Sequence, residues 1–563
     1  MKKILSALLC AALLTGCAAN LPAEPIPASL SESTAPATPP IASPEYTSRF
    51  NAVTDIVLSD DGILVDALDS GEKYNETVFV THDIICYEDR DTYESGNPYG
   101  EGTDSDKHTA AEAASHTVVN ITAPGAYRIT GKLSAGQIRI DLGENACKDP
   151  NAVVELILDD ADITCTVAPA ILFLNTYECD ENWSPDTAKA EVDTSAAGAN
   201  LILKGDNVVS GSYVAKIFRD RDGEKKLWKQ DGAIYSYMSM NVFGPGYLEL
   251  NAANEGLDTE LHLTINSGNI TINSQNDGIN TNEDNVSVTT INGGNLTIFA
   301  GLGAEGDGID SNGYLVINGG TVVSSAKPIA DAGLDSDLGS FIHGGTVIAM
   351  GSTMDWAESD SGQVTMNLQF AQQQKAGSKI VITREDGTEI FSFEDDGPHS
   401  RGFSGLILSH AAFTRDEVYH VYVNGVQMAY TGTDVGGFPG GFGGRPGAMP
   451  EGFDPENMPE GFDFENIPEG FEPGRMPGNF DPENMPEGFD PSQMDGRGQC
   501  PEGDRKLPSE GFEGKFPEGM APPEMPEGGF DPRQQSSMPA GEASTEFYMN
   551  DMVNFFSGVS AAE

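Results

Sequence analysis

Apolar and polar positions alternate along residues ~48 to 145 in short runs, as in Asp55-Ile56-Val57-Leu58, Thr77-Val78-Phe79-Val80 and Gln137-Ile138-Arg139-Ile140. A period of two is the signature of strands with one buried face, and the Gly and Pro between the runs act as turn residues. Strand signals continue at Val153 to Leu158, Ile163 to Val167 and Asn200 to Leu203, and long helical patterns are missing. A polar, acidic loop from Asp89 to Ala114 interrupts the series. An all-β chain is expected.

Between Asn254 and Met350 the pattern becomes a repeat. Gly256-Leu257-Asp258-Thr259 returns as Gly278-Ile279-Asn280-Thr281, Gly308-Ile309-Asp310-Ser311 and Gly333-Leu334-Asp335-Ser336. A second phrase alternates with it: Ile265-Asn266-Ser267-Gly268, Ile291-Asn292-Gly293-Gly294, Ile317-Asn318-Gly319-Gly320 and Ile342-His343-Gly344-Gly345. The spacing of about 25 residues is a solenoid period. Because strand side chains alternate in direction, Leu257, Ile279, Ile309 and Leu334 are expected to face inward and the acids and amides outward. That is the pattern of a right-handed parallel β-helix, in which no coil buries its own apolar face and stacking is obligatory. The Asn266, Asn292, Asn318 column fits an amide ladder at a turn, with His343 replacing its fourth member.

The ends and the composition divide the chain further. Lys2-Lys3, an apolar run from Ile4 to Leu14 too short to span a bilayer, and Leu14-Thr15-Gly16-Cys17 read as a lipoprotein signal over residues 1–16 with Cys17 as the lipidated residue. Residues 17–48 then form a Pro/Ser/Thr-rich stalk. The β-helix is expected over 49–360, followed by a β-rich capping module over 361–435, where Asp386-Gly387 and Asn424-Gly425 mark hairpins. Over 436–545, Met449-Pro450-Glu451-Gly452-Phe453 recurs with a nine-residue period, a Pro- and Gly-rich composition that cannot bury a core and is expected to be disordered. Residues 546–563, with the apolar stretch Phe547 to Val559, read as a short amphipathic helix. Outside the signal, Cys86, Cys147, Cys165, Cys179 and Cys500 include no C-x-x-C pair. The four in the folded region read either as disulfides or as buried thiols.

Asp and Glu number 87 against 31 Lys and Arg, a net charge of −56. That sign excludes nucleic acid as a partner and favours cations, or a polymer bridged by cations. From Gln230 to Ala326 there is no Lys or Arg, yet there are about eleven acids. Glu255, Asp258, Asp277, Asn280, Asp307, Asp310, Asp331 and Asp335 gather around the first phrase. Carboxylates stacked at strand spacing would repel by about 3 kcal/mol per pair at an effective dielectric of 20. A hard cation with oxygen ligands relieves that repulsion, and Ca2+ suits Asp, Asn and backbone carbonyls better than Mg2+ does.

The stretch Gly125-Ala126-Tyr127-Arg128-Ile129-Thr130-Gly131, followed by Gly136-Gln137-Ile138, Asp231-Gly232-Ala233-Ile234-Tyr235-Ser236 and Gly306-Asp307-Gly308-Ile309-Asp310, resembles a family of bacterial surface carbohydrate-binding proteins. The resemblance spans about residues 120 to 430. It implies a pectate-lyase-like β-helix with bound Ca2+ that binds plant polysaccharides, cellulose and polygalacturonate among them, without established lyase activity. Asp277, Asp307 and Asp310 lie on its repeated Asp-Gly-Ile phrases. Glu255 stands where the family has Asp, and the Asp89 to Ala114 insertion is a further departure.

The expected function is thus non-catalytic binding of pectin, polygalacturonate or cellulose at a bacterial surface by a lipid-anchored monomer, with Tyr235, Tyr237 and Trp356 as platforms for sugar rings. A polyuronate lyase would instead need a base beside the cation, and Lys327 is its candidate. A surface adhesin or scaffold with a protein partner is the third class.

Overall fold

The computed structural model describes residues 46–66, 68–69, 77–82, 84, 110–180, 183–221, 224–329, 331–352, 355–433 and 543–562. The signal, Cys17, the stalk up to residue 45, Cys86, Cys500, most of the Asp89 to Ala114 loop and the nine-residue repeats lie outside these residues. The described chain is all-β: its helical segments are Ala110–Ala114 and the 3-10 turn Ala146–Lys148.

The repeats stack in parallel, in three columns of strands. The first stack runs Gly232–Ser236, Glu255–Thr259, Ile279–Thr281, Ile309–Ser311, Asp335–Ser336. Its register puts Leu257 beside Ile279 and Ile279 beside Ile309, while Asp258, Asn280, Asp310 and Asp335 form one continuous column. The second stack contains Met240–Phe243, Leu263–Ile265, Val288–Ile291, Tyr314–Ile317 and Gly339–Ile342. The third contains Tyr247–Ala252, Asn269–Ser274, Asn295–Phe299, Thr321–Ser325 and Thr346–Gly351. Inward aliphatics from all three, among them Leu257, Ile265, Ile272, Ile279, Ile291 and Ile309, share one buried core. The second and third stacks diverge from a single long strand, Val154–Thr164, whose two halves pair with Ala199–Lys204 and Asp206–Gly211. The corner falls at Asp160, where φ is 56°.

The turn between the second and third stacks is the expected ladder. Asn292 Nδ2 donates to Asn266 Oδ1 and Asn318 Nδ2 to Asn292 Oδ1, both at 2.9 Å. The left-handed backbone there belongs to the Gly two residues on, with Gly294, Gly320 and Gly345 at φ 89°, 82° and 90°, so the Asn is free to serve the ladder alone. His343 follows Asn318 but turns its Nδ1 to the N–H of Gly362, at 3.0 Å.

The Gly of the first phrase has a different cause: close approach. A Cβ at Gly278 would sit 2.2 Å from Ile298 Cγ2 and 2.5 Å from the Gly308 carbonyl oxygen. Gly278→Ala is therefore expected to destabilise the stack by roughly 1–3 kcal/mol, the usual cost of overpacking, read as a lower thermal midpoint.

Beyond Met350, antiparallel strands take over. Phe403–Ser409 pairs antiparallel with Thr346–Gly351, the last strand of the third stack. The strands that follow enclose a second core with Phe391, Phe403, Tyr419 and Phe547. The expected C-terminal helix is not there. Phe547–Met549 is a strand on Glu417–Val423, and Val553–Ala561 is a strand parallel to Thr365–Gln374. Phe547, Met549, Phe556 and Val559 bury their side chains in this core, and the open edges of two strands decide the conformation where local propensity is weak. Residues 434–542 thus fall between two strands of one module rather than beyond it.

Candidate functional site

The acids of the first stack fall into two sets with different work. Asp258, Asn280, Asp310 and Asp335 are the outward strand column. Glu255, Asp277, Asp307 and Asp331 precede them in each coil, and three of these clamp the coils together. Asp277 Oδ1 accepts the Asp307 N–H at 2.7 Å, Asp307 Oδ1 accepts the Ala332 N–H, and Asp331 Oδ2 accepts the Gly306 N–H at 3.0 Å. These bonds bear part of each carboxylate's charge.

Outward does not mean exposed. Asp258 is 0% exposed, and Glu255, Asp277 and Asn280 are buried beside it, while Asp307, Asp310, Asp331 and Asp335 are half-buried. Burial raises every carboxyl of the group. Asp258, Asp277 and Asp310 are held well above the usual carboxylate range by desolvation first and then by neighbouring negative charge, from Glu255 on the first two and Asp277 on the third. Glu255 is raised by burial and then by Asp231. Burial pushes Asp307 up to about 7 and also raises Asp331 and Asp335.

Among the described residues, basic groups stand at the two ends of the column. Lys229 Nζ lies 2.7 Å from Asp231 Oδ2. At the other end Lys327 Nζ donates to the carbonyls of Gly303, at 2.8 Å, and Ala304, and Arg401 donates to those of Ala300 and Gly301. The charges of Lys327 and Arg401 both lower the pKa of Asp331. Arg401 is outside the span in which the sequence lacks basic residues, and it arrives from the antiparallel module. Lys229 also lowers Glu255, while the main influences on Asp258, Asp277 and Asp310 are burial and neighbouring acids.

The residues present fit a hard cation at one place. Asn282 Nδ2 donates to Asp258 Oδ1 at 2.6 Å and Asn280 Nδ2 to Glu255 Oε2 at 3.1 Å. The remaining oxygens, Asp258 Oδ2 and Asn280 Oδ1, are buried and accept no hydrogen bond, and in the absence of a cation the protonated Asp258 carboxyl pairs with Glu255. They belong to register neighbours on adjacent strands. Unsatisfied buried oxygens are rare because each forfeits its hydration, and two together beside the Glu255 carboxylate make an oxygen-only donor set. Among the described residues no three His, Cys, Asp or Glu side chains converge as a metal-holding group; the third donor here is an amide.

The three aromatic residues expected to be sugar platforms are not free surfaces. Tyr235 and Tyr237 are 1% and 0% exposed, packed edge to face at 5.1 Å with Leu172 and Met238. Tyr235 continues the column beneath Asp258 and donates its hydroxyl to Glu260, so it floors the acid site from within. Trp356 is half-buried, its ring edge-on to Phe555 at 5.5 Å. Cys147, Cys165 and Cys179 are free thiols.

The described chain is thus an all-β frame of stacked coils with a column of buried and half-buried acids. A family model described as carbohydrate-binding domain-containing protein matches residues 115–406, over half of the chain, and the chain belongs to that family. It is also similar to a solved polysaccharide lyase-like protein from C. thermocellum, a gadolinium derivative, with 23% identity over 52% of this chain and 93% of that one and a TM-score of 0.30. No curated protein matches.

Proposed function

We propose that this chain is a non-catalytic, calcium-loaded binder of acidic polysaccharide such as polygalacturonate, held at a bacterial surface through Cys17. The observation that carries the calcium reading is the pair of unsatisfied buried oxygens, Asp258 Oδ2 and Asn280 Oδ1, beside Glu255. These residues would hold Ca2+, which supplies the positive charge that the middle of the column lacks. The buried set would serve the fold, and the half-buried Asp310 and Asp335 would meet carboxylates of the polymer through further cations. The stacking is read as a right-handed parallel β-helix. Its support is the run of parallel registers at a coil-length spacing, together with the near-universal right-handedness of parallel crossovers. The antiparallel module would close its end.

Titration calorimetry with calcium tests the site. Saturable binding is expected, with affinity lowered at least about tenfold in Asp258→Asn because a ligand charge is lost; heats unchanged by that substitution would remove the site. The lyase reading gains no support from Lys327, whose ammonium is spent on two carbonyls. Incubation with polygalacturonate is expected to release no unsaturated, ultraviolet-absorbing product. Product that disappears in Lys327→Ala would make the protein a lyase.

A further inference from the structure

The described chain begins at Tyr46, on the outer face of the second stack, where residues 46–50 form a strap. Glu155, 0% exposed, accepts the Ser48 hydroxyl at 2.6 Å, the Arg49 N–H at 2.8 Å and the Tyr46 hydroxyl. The Tyr46 and Phe243 rings are 4.6 Å apart, and Phe50 packs with Ala126, Ile157 and Ile202. The strap therefore runs against the rise of the coils. From Met240–Phe243 down to Val53–Leu58 the strands take four parallel steps, about 19 Å at strand spacing. The seven residues from Tyr46 to Val53 reach about 23 Å when extended, so the strap crosses those coils nearly straight.

Above Phe243 the same face opens into a groove of ≈ 960 Å³. One side is the outward register column Thr264, Thr290, Val316 and Phe341. The other is the amide ladder that ends in His343 and stands directly over Phe243. The strap thus enters the foot of the groove, pointing along it.

We infer that the chain fills this groove itself: the stalk stretch Pro39-Pro40-Ile41-Ala42-Ser43-Pro44 continues the line of the strap and lies along the coils. The inference rests neither on the calcium reading nor on any polymer ligand. A Pro-rich stretch favours the polyproline II helix, whose three-residue turn rises ~9.3 Å against ~9.6 Å for two coils. Successive turns of the stalk therefore meet equivalent coils. Aromatic-lined grooves are the usual seats of such helices. Here Phe341 is stacked with His343 at 6.2 Å and 20° and flanked by Tyr314 at 6.1 Å. A polyproline II backbone makes no internal hydrogen bonds, and the ladder amides keep donors and acceptors for it. The charged lining residues are Lys189 against Glu191, Asp193 and Asp360, and a stretch without charge avoids their repulsion. Seated in this way, the stalk covers the second stack and leaves the acids of the first stack open.

Position by position the fit is specific. Ile41, five residues before Tyr46, falls about 16 Å along the groove, level with the third coil above Phe243, that of Val316 and Asn318. The test places the photocross-linker p-benzoylphenylalanine at Ile41 of the full chain, with Ala28 as the control position, and maps the links by peptide mass spectrometry. Links from position 41 to residues 314–318 and the coils on either side are expected, independent of protein concentration. Thr290→Trp, which fills the half-buried floor of the groove, is expected to cut their yield about tenfold at an unchanged thermal midpoint. Replacing Pro39, Pro40 and Pro44 together by Gly, outside the folded core, is expected to cut it about tenfold by freeing the stretch. Links scattered over the rest of the chain, links only between two molecules, equal groove links from Ala28, or yields unchanged in both variants would overturn the inference.

Discussion

Excess chelator is expected to release the protein from immobilised polygalacturonate, and added calcium, but not magnesium, to restore retention. The column offers carboxylate and amide oxygens from different coils, with no octahedral regularity to suit the smaller ion. Among the described residues, the neighbours that act on Asp310 and Asp335 are other acids, so a polyanion approaching them meets negative charge unless a cation intervenes. Retention should fall by at least about a hundredfold on chelation, since the attraction is then replaced by repulsion between like charges. Two substitutions separate the structural from the bridging cation. Asp258→Asn should lower calcium affinity and the thermal midpoint together, because the residue is buried. Asp310→Asn, half-buried, should weaken retention with little loss of stability. Retention that survives full chelation would end the bridging account.

Calcium-free protein is expected to lose stability as pH rises from about 4 to about 7. Asp307 and Asp355 are raised from 3.8 to about 7, in each case chiefly by burial. Between those values the folded chain holds protons that the unfolded chain has released, so the slope of unfolding free energy with pH is negative. The stability conferred by protonation is complete below the unfolded pKa and is gone once the pH passes the folded one. A tenfold tighter hold on a proton is worth about 1.4 kcal/mol for a fully shielded group, and partial exposure of Asp307 reduces its share. Saturating calcium should remove most of this loss at pH 7, since an ion that binds only the folded state at a hundred times its Kd adds about 2.7 kcal/mol. Denaturant midpoints at pH 4.5 and 7, with and without calcium, read both effects. A calcium-free protein most stable at pH 7 would contradict the buried-acid description.

The sequence period by itself determined which residues stack. A two-residue alternation inside a repeat of about 25 leaves one solution, inward Leu257 on Ile279 on Ile309, with Asp258, Asn280 and Asp310 aligned on the other side. The ladder of Asn266, Asn292 and Asn318 was equally legible, because an amide is useful at that turn only if its neighbour repeats it. The outward column of the second stack carried a signal too: Thr264, Thr290, Val316 and Phe341 each precede the Ile of the second phrase. They do not share a residue type, however, and so stand out only when aligned by register.

Which outward residues meet water was decided by the tertiary structure, because exposure depends on segments far off in the chain. Tyr235 and Asp258 point away from the core of the coils and are buried all the same. Arg401 reaches the acid face from the antiparallel module, where no local count of charge includes it. Thr194 bonds Asn241 and Thr264 on strands 47 and 70 residues away. Val553–Ala561 is extended because Thr365–Gln374 offers an edge to pair with. A periodic pattern records only the neighbours one coil above and below. Covers, distant charges and sheet edges have no period, and the folded chain alone brings them together.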